Sequence, residues 1–96
     1  MPALKQGYKV GTRTLLLYAL ASERARFGLI VSRKAGGAVV RNSVKRRLRH
    51  VAAGLIDEGR PMDVVVRTLP AAGTASKDLA TDLTAAWQKA ERVVLA

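Results

Sequence analysis

Residues Arg26 to Glu58 read RFGLIVSRKAGGAVVRNSVKRRLRHVAAGLIDE, and the change of apolar period inside this stretch decides the fold. Arg26 to Ser32 is a short apolar run suited to a strand. From Ala38 onward, Val44, Leu48, Val51 and Leu55 recur at i, i+4, i+7 and i+11, which puts them on one face of a helix at about 100° per residue. A helix is therefore expected over Ala38 to Glu58, with that face packed on a sheet. Gly36-Gly37 lies between the strand and the helix. Glycines let backbone approach a phosphate, and a helix start offers unpaired N–H groups. The pair is thus either an ordinary turn or an anion site, and its spacing is neither a dinucleotide fingerprint nor a P-loop.

Outward from this unit, Leu15 to Ala21 is apolar on both faces, as a well-covered strand is. The polar turn Ser22-Glu23-Arg24 then makes an antiparallel hairpin to the Arg26 strand the simplest expected connection. Met62 to Thr68 is a third strand, rich in valine and stopped by Pro70, and Tyr8 to Arg13 adds a short edge strand. Pro70 to Ser76 reads as a small-residue loop. In Ser76 to Val94, Leu79, Leu83, Ala86, Trp87, Ala90 and Val94 form one helical face, with Thr74 or Ser76 available as a cap. Trp87 at that spacing is expected in the core. The implied fold class is α+β: a two-layer α/β sandwich with a small, mainly antiparallel sheet and helices on one face, forming one domain over residues 1–96.

Composition narrows the function. The 96 residues carry 17 Lys+Arg against 7 Asp+Glu, a net charge of +10, with a pI near 11.2. Such a balance predicts a polyanionic partner. There is no Cys and His50 is the single histidine, which removes disulfides, thiolate zinc sites and a Cys nucleophile and leaves little for a histidine relay. The most apolar run, Leu15 to Ala21, is far shorter than the roughly 20 residues that cross a bilayer, so no membrane role is expected. Met1 to Gly7 lacks a charged region followed by an apolar one, so no signal peptide is expected and the default address is the cytoplasm.

Seven cations, Arg33, Lys34, Arg41, Lys45, Arg46, Arg47 and Arg49, lie in one stretch, leaving the rest of the chain nearly balanced. Arg41, Lys45 and Arg49 fall at i, i+4 and i+8, with Asn42 and Arg46 beside them and Arg47 outside the stripe. No acidic residue lies between Arg33 and Asp57. Like charges at i, i+4 each cost an isolated helix a few tenths of a kcal/mol, roughly 0.2 to 0.5. Phosphates offset that cost, because Arg matches their oxygens bidentately and each neutralised phosphate releases counterions. The alternative is a solvated basic face, although solvated faces usually mix signs. The carboxylates form no convincing catalytic set: Asp78 and Asp82 are explained by the dipole at a helix start, and Asp57 and Glu58 as surface groups.

The run Ser32, Arg33, Lys34, Gly36, Ala38, Val39, Arg41, Asn42, Lys45, Arg46 and Arg49 resembles the S-[RK]-K-x-G-x-A-V-x-R-N-x-x-K-R-x-x-R pattern of the protein subunit of bacterial ribonuclease P. The resemblance extends from about Leu4 to the end and implies a ribosomal protein S5 domain 2-like fold. It further implies an accessory protein for an RNA-catalysed endoribonuclease. In that family the RNA holds magnesium and cleaves precursor tRNA, while the protein binds the ribonuclease P RNA and the 5′ leader. Carried over residue by residue, Arg33, Lys34, Arg41, Asn42, Lys45, Arg46 and Arg49 are the expected RNA-binding residues, and Tyr18 is the candidate for the leader cleft. Tyr18 can stack a base there, or it can simply be packed. The resemblance implies no catalytic residue, no cofactor bound by the protein alone, magnesium in the holoenzyme, and no obligate protein partner.

Two departures stand out. The family commonly has a third cation after Arg-Asn, where this chain has Ser43, so weaker RNA affinity is expected. The family also usually opens with a basic, Phe-containing helix that walls the leader cleft. Set against that pattern, Ala3-Leu4-Lys5-Gln6-Gly7 resembles the end of that helix, so the amino-terminal helix is expected to be largely missing from this sequence, and Leu4 stands where an aromatic is frequent. A DNA-binding module is disfavoured by the strands ahead of the helix, and an RNA-recognition-motif domain by 4% aromatics. A ribosomal protein or other structural RNA-binding protein of related fold is the alternative reading.

Overall fold

The computed structural model describes residues 7–95; the expectations for Ala3 to Gln6, including Leu4, lie outside them. Strand β1 (Tyr8–Gly11), β2 (Leu15–Ala21) and β3 (Arg26–Ile30) lead through a 3-10 turn (Arg33–Ala35) into helix α1 (Ala38–Glu58). Strand β4 (Met62–Thr68), a short helix α2 (Ala71–Thr74), a second 3-10 turn (Ser76–Asp78) and helix α3 (Leu79–Val94) complete the order.

The four strands form one sheet in the order β1-β2-β4-β3. The expected hairpin between β2 and β3 is not formed, because β4 is inserted between them. It pairs antiparallel with β2, Tyr18 facing Val65, and parallel with β3, Gly28 facing Val65. The physical reason lies in β4 itself. Met62 to Val66 are buried on both faces, and such a run requires a neighbour on each edge and cover above and below. With β1 and β2 also antiparallel, the sheet is mixed but mainly antiparallel, and the α+β class holds.

Alternation assigns the two faces. Leu15, Leu17, Ala19, Val64 and Val66 point inward and share a core with Val44, Leu48 and Ala52 of α1 and Leu79, Leu83, Trp87 and Ala90 of α3. Helix α3 packs directly on β1 and β2, and α1 packs mainly on α3. Ala52 is buried where the apolar count favoured Val51 and Leu55, which are half-buried. Trp87 is a core residue as expected, its ring centroid 6.2 Å from that of Phe27.

Several boundaries differ from the sequence reading: β1 ends at Gly11 rather than Arg13, and α3 starts at Leu79 rather than Ser76. β3 ends at Ile30 rather than Ser32, because the Ser32 N–H donates to Thr68 Oγ1 at 2.9 Å and the chain leaves the ladder there. Ala71 to Thr74 is helical rather than loop, with Ala72 fully buried. Neither Thr74 nor Ser76 caps α3, since Thr74 Oγ1 donates back to Ala71 O within α2 at 3.4 Å, and no side chain caps the second 3-10 turn or α3.

Asp82 does more than answer a helix dipole. The fully buried Thr14 donates its hydroxyl to Asp82 Oδ2 at 2.7 Å, tying the turn between β1 and β2 to the first part of α3. Thr14→Val keeps the shape but strips a carboxylate oxygen of its donor. We expect a loss of about 1.5 to 3 kcal/mol, read as a lower urea midpoint at constant m; an unchanged midpoint would mean that the bond contributes nothing.

Candidate nucleic-acid interface

The basic helix is dressed against its own dipole. Helix α1 is preceded by Gly37 at its N-cap, which offers no side-chain cap, and has no acidic residue in its first turn; its last turn contains no basic residue and ends in Asp57-Glu58. A helix stabilised for its own sake carries the opposite arrangement. The cations near the start of α1 are therefore not explained by helix stability.

Their geometry is specific. Asn42, Lys45, Arg46 and Arg49 line one open groove of about 480 Å³ along the outer side of α1. A second groove of about 410 Å³, lined by Ser43, Arg46, Arg47 and His50, adjoins it through Arg46. Ser43 and His50 were not among the expected site residues, yet the spacing 43, 46/47, 50 already placed them on one helical row. Arg41 is half-buried beside this surface, and its Nε is buried without a hydrogen-bond partner. Arg47 is anchored, donating from Nη1 to Ser76 O at 2.8 Å, which links α1 to the turn before α3.

Arg33 and Lys34 are exposed on the 3-10 turn rather than at a strand end. Ser32 Oγ accepts from Lys34 N at 3.2 Å and fixes the start of that turn. Gly36 closes it at φ 142°, a conformation that favours glycine, and a Cβ there would stand 2.9 Å from Val40. The turn accounts for Gly36. Gly37 is extended, with nothing within 4 Å of its Cβ position.

Tyr18 is half-buried on the sheet face turned away from the helices. It stands between Lys9 of β1 and Val65 of β4, with Lys9 Nζ 5.9 Å from its ring centroid. The same face carries Arg26 and Arg67 as well as Asp63, which is 3% exposed and has one oxygen without a partner. The structure thus gathers Asn42, Lys45, Arg46 and Arg49 at one groove, sets Arg41 and the Arg33-Lys34 turn near the start of α1, and puts Tyr18 on a separate surface.

Among the described residues, no group of three or more His, Cys, Asp or Glu side chains could hold a metal ion. Nor is any helix among them long and apolar enough to cross a membrane.

The ribonuclease P family model matches residues 2–91. The ribonuclease P protein component of Rhodococcus erythropolis is 42% identical over 85 residues, covering 77% of this chain and 68% of that one. That of Rhodococcus opacus is 42% identical over 93 residues, covering 85% and 74%. The solved RNase P protein of Staphylococcus aureus shares the fold with a TM-score of 0.75 at 22% identity, over 96% of this chain and 84% of that one. These matches favour ribonuclease P over the ribosomal-protein alternative that size and charge left open. With the family model matched over residues 2–91 and relatives 42% identical over most of its length, the chain belongs to the ribonuclease P protein component family.

Proposed function

We propose that this chain binds ribonuclease P RNA through Arg33, Lys34, Arg41, Asn42, Lys45, Arg46 and Arg49, and receives the 5′ leader of precursor tRNA on the sheet face that carries Tyr18. The observation that carries this reading is the groove of Asn42, Lys45, Arg46 and Arg49 on a helix whose charges oppose its dipole. Cations placed there gain from phosphate, since each contact releases condensed counterions and Arg meets phosphate oxygens with two parallel bonds.

In this reading the protein contributes grip and position, and the RNA performs the phosphodiester hydrolysis with magnesium that it holds itself. Lys9, Arg26 and Arg67 supply charge for a leader backbone beside Tyr18, whose ring offers a stacking surface to an unpaired base. The site of action is the cytoplasm, where precursor tRNA is made, and no second protein is required.

Reconstitution tests this. The protein alone is expected to leave precursor tRNA uncut. Added to the cognate ribonuclease P RNA at low magnesium, it is expected to raise the rate of 5′ processing. Absence of stimulation, both by this chain and by a version extended at its amino end with the family's helix, would refute the assignment.

A further inference from the structure

Four large apolar side chains are notably exposed among the described residues: Ile30 at 40%, Val39 at 84%, Val40 at 39% and Val93 at 51%. Val40 has a local explanation, because it packs over Gly36 and close to Gly73, whose Cβ positions would stand 2.9 and 3.4 Å from its side chain. Val39 has none. It lies in the first turn of α1, where a β-branched residue is a weaker helix former than alanine, and at 84% exposure it gains almost no burial.

Single exposed apolar residues are ordinary on protein surfaces. What distinguishes Val39 is its row. Val39, Asn42, Arg46 and Arg49 follow at i, i+3, i+7 and i+10 along one side of α1, and three of the four line the basic groove. A nucleic acid presents phosphates, which the cations can take, together with ribose and base faces, which they cannot. The row has a complement for both.

We infer that Val39 is an RNA-contacting residue whose side chain packs on a ribose or base of ribonuclease P RNA while Arg46 and Arg49 neutralise neighbouring phosphates. The inference rests on the RNA-binding reading above and adds to it a contact that is apolar and hence insensitive to salt. Counterion release gives log Kd a slope against log salt, whereas buried apolar area shifts the line without tilting it.

The experiment titrates in vitro transcribed cognate ribonuclease P RNA with the wild-type protein, Val39→Ala, Val39→Ile and Arg46→Ala at salt from about 50 to 400 mM. Val39→Ala is expected to weaken binding about 5-fold at every salt, as two partly buried methyl groups would. Its slope should equal that of the wild type and its thermal stability should be unchanged or raised. Val39→Ile should keep wild-type affinity, and Arg46→Ala should lower the slope. Wild-type affinity for Val39→Ala would overturn the contact, as would a loss that fades as salt rises. A wild-type protein that does not bind the RNA, or whose binding does not depend on salt, would instead overturn the reading of the basic groove as an RNA-phosphate site, and this inference with it.

Discussion

Replacing Arg46 and Arg49 together by alanine is expected to weaken binding to ribonuclease P RNA by roughly 25- to 60-fold at about 0.1 M salt, the largest loss any pair of substitutions on α1 should give. The size follows from counterion release. Each phosphate contact contributes about 0.7 to 0.9 to the slope of log K against log salt, so two lost contacts remove about 1.4 to 1.8 from the slope. At a tenth of molar salt the same figure is the loss in decades of affinity. Both side chains are exposed and line the groove beside Asn42 and Lys45. Their removal relieves like-charge repulsion and leaves a better helix former in each place, so a binding loss cannot be laid to an unfolded helix. Arg47→Ala provides the contrast. Its guanidinium is already engaged by Ser76 O, and its removal should alter the slope less than either of the other two. An unchanged slope in the double variant would leave Arg46 and Arg49 in solvent and remove the basis of the proposed interface.

Gly73→Ala should produce the largest loss of stability. Helix α2 approaches the Arg33–Ala35 turn so closely that a Cβ on Gly73 would overlap the Ala35 carbonyl oxygen, with the carbonyl carbon 2.8 Å away. Backbone cannot swing aside as a flexible side chain can. The cost is expected to be about 3 kcal/mol, the upper part of the range for overpacking, which for a chain of this size lowers Tm by roughly 12 to 24 °C. Gly54→Ala is the control. Gly54 is exposed within α1 and has nothing within 4 Å of its Cβ position, so alanine there should raise stability by up to about 1 kcal/mol. Thermal unfolding of both variants checks the pair of signs. A Gly73→Ala protein as stable as the wild type would show that α2 and the turn carrying Arg33 and Lys34 are not tightly packed.

The elements that could be read from the sequence are those whose information is local. The bounds of α1, β2 and β4 follow from apolar period and from Pro70 and the glycines, because burying one helical face or alternate strand residues is decided within ten or twenty positions. Strand order is decided by distant partners. Ser22-Glu23-Arg24 is an adequate hairpin turn, yet β2 takes β4 instead because Val64, Val65 and Val66 need cover on both faces and both edges. Helix α2 was hidden for a related reason. Gly73 and Thr74 are weak helix formers, and tertiary contact overrides them: Ala72 is buried and Gly73 abuts the Ala35 carbonyl. At the interface, the spacing of Asn42, Lys45, Arg46 and Arg49 was enough to group them. The tether between Arg47 and Ser76 was not visible, since it joins residues 29 positions apart.

The central place of β4 also sets an order of events during synthesis. β2 and β3 are complete once Ile30 has been made, but the strand that joins them spans residues 62–68. Until those residues leave the ribosome, β2 has only β1 beside it, β3 has no partner in the sheet, and the apolar face of α1 has no α3 to rest on. Contacts between residues so far apart in the chain also close slowly. The basic stretch is therefore synthesised well before the elements that complete its core, and α1 gains its main packing partner only when α3, the last helix in the chain, has been made.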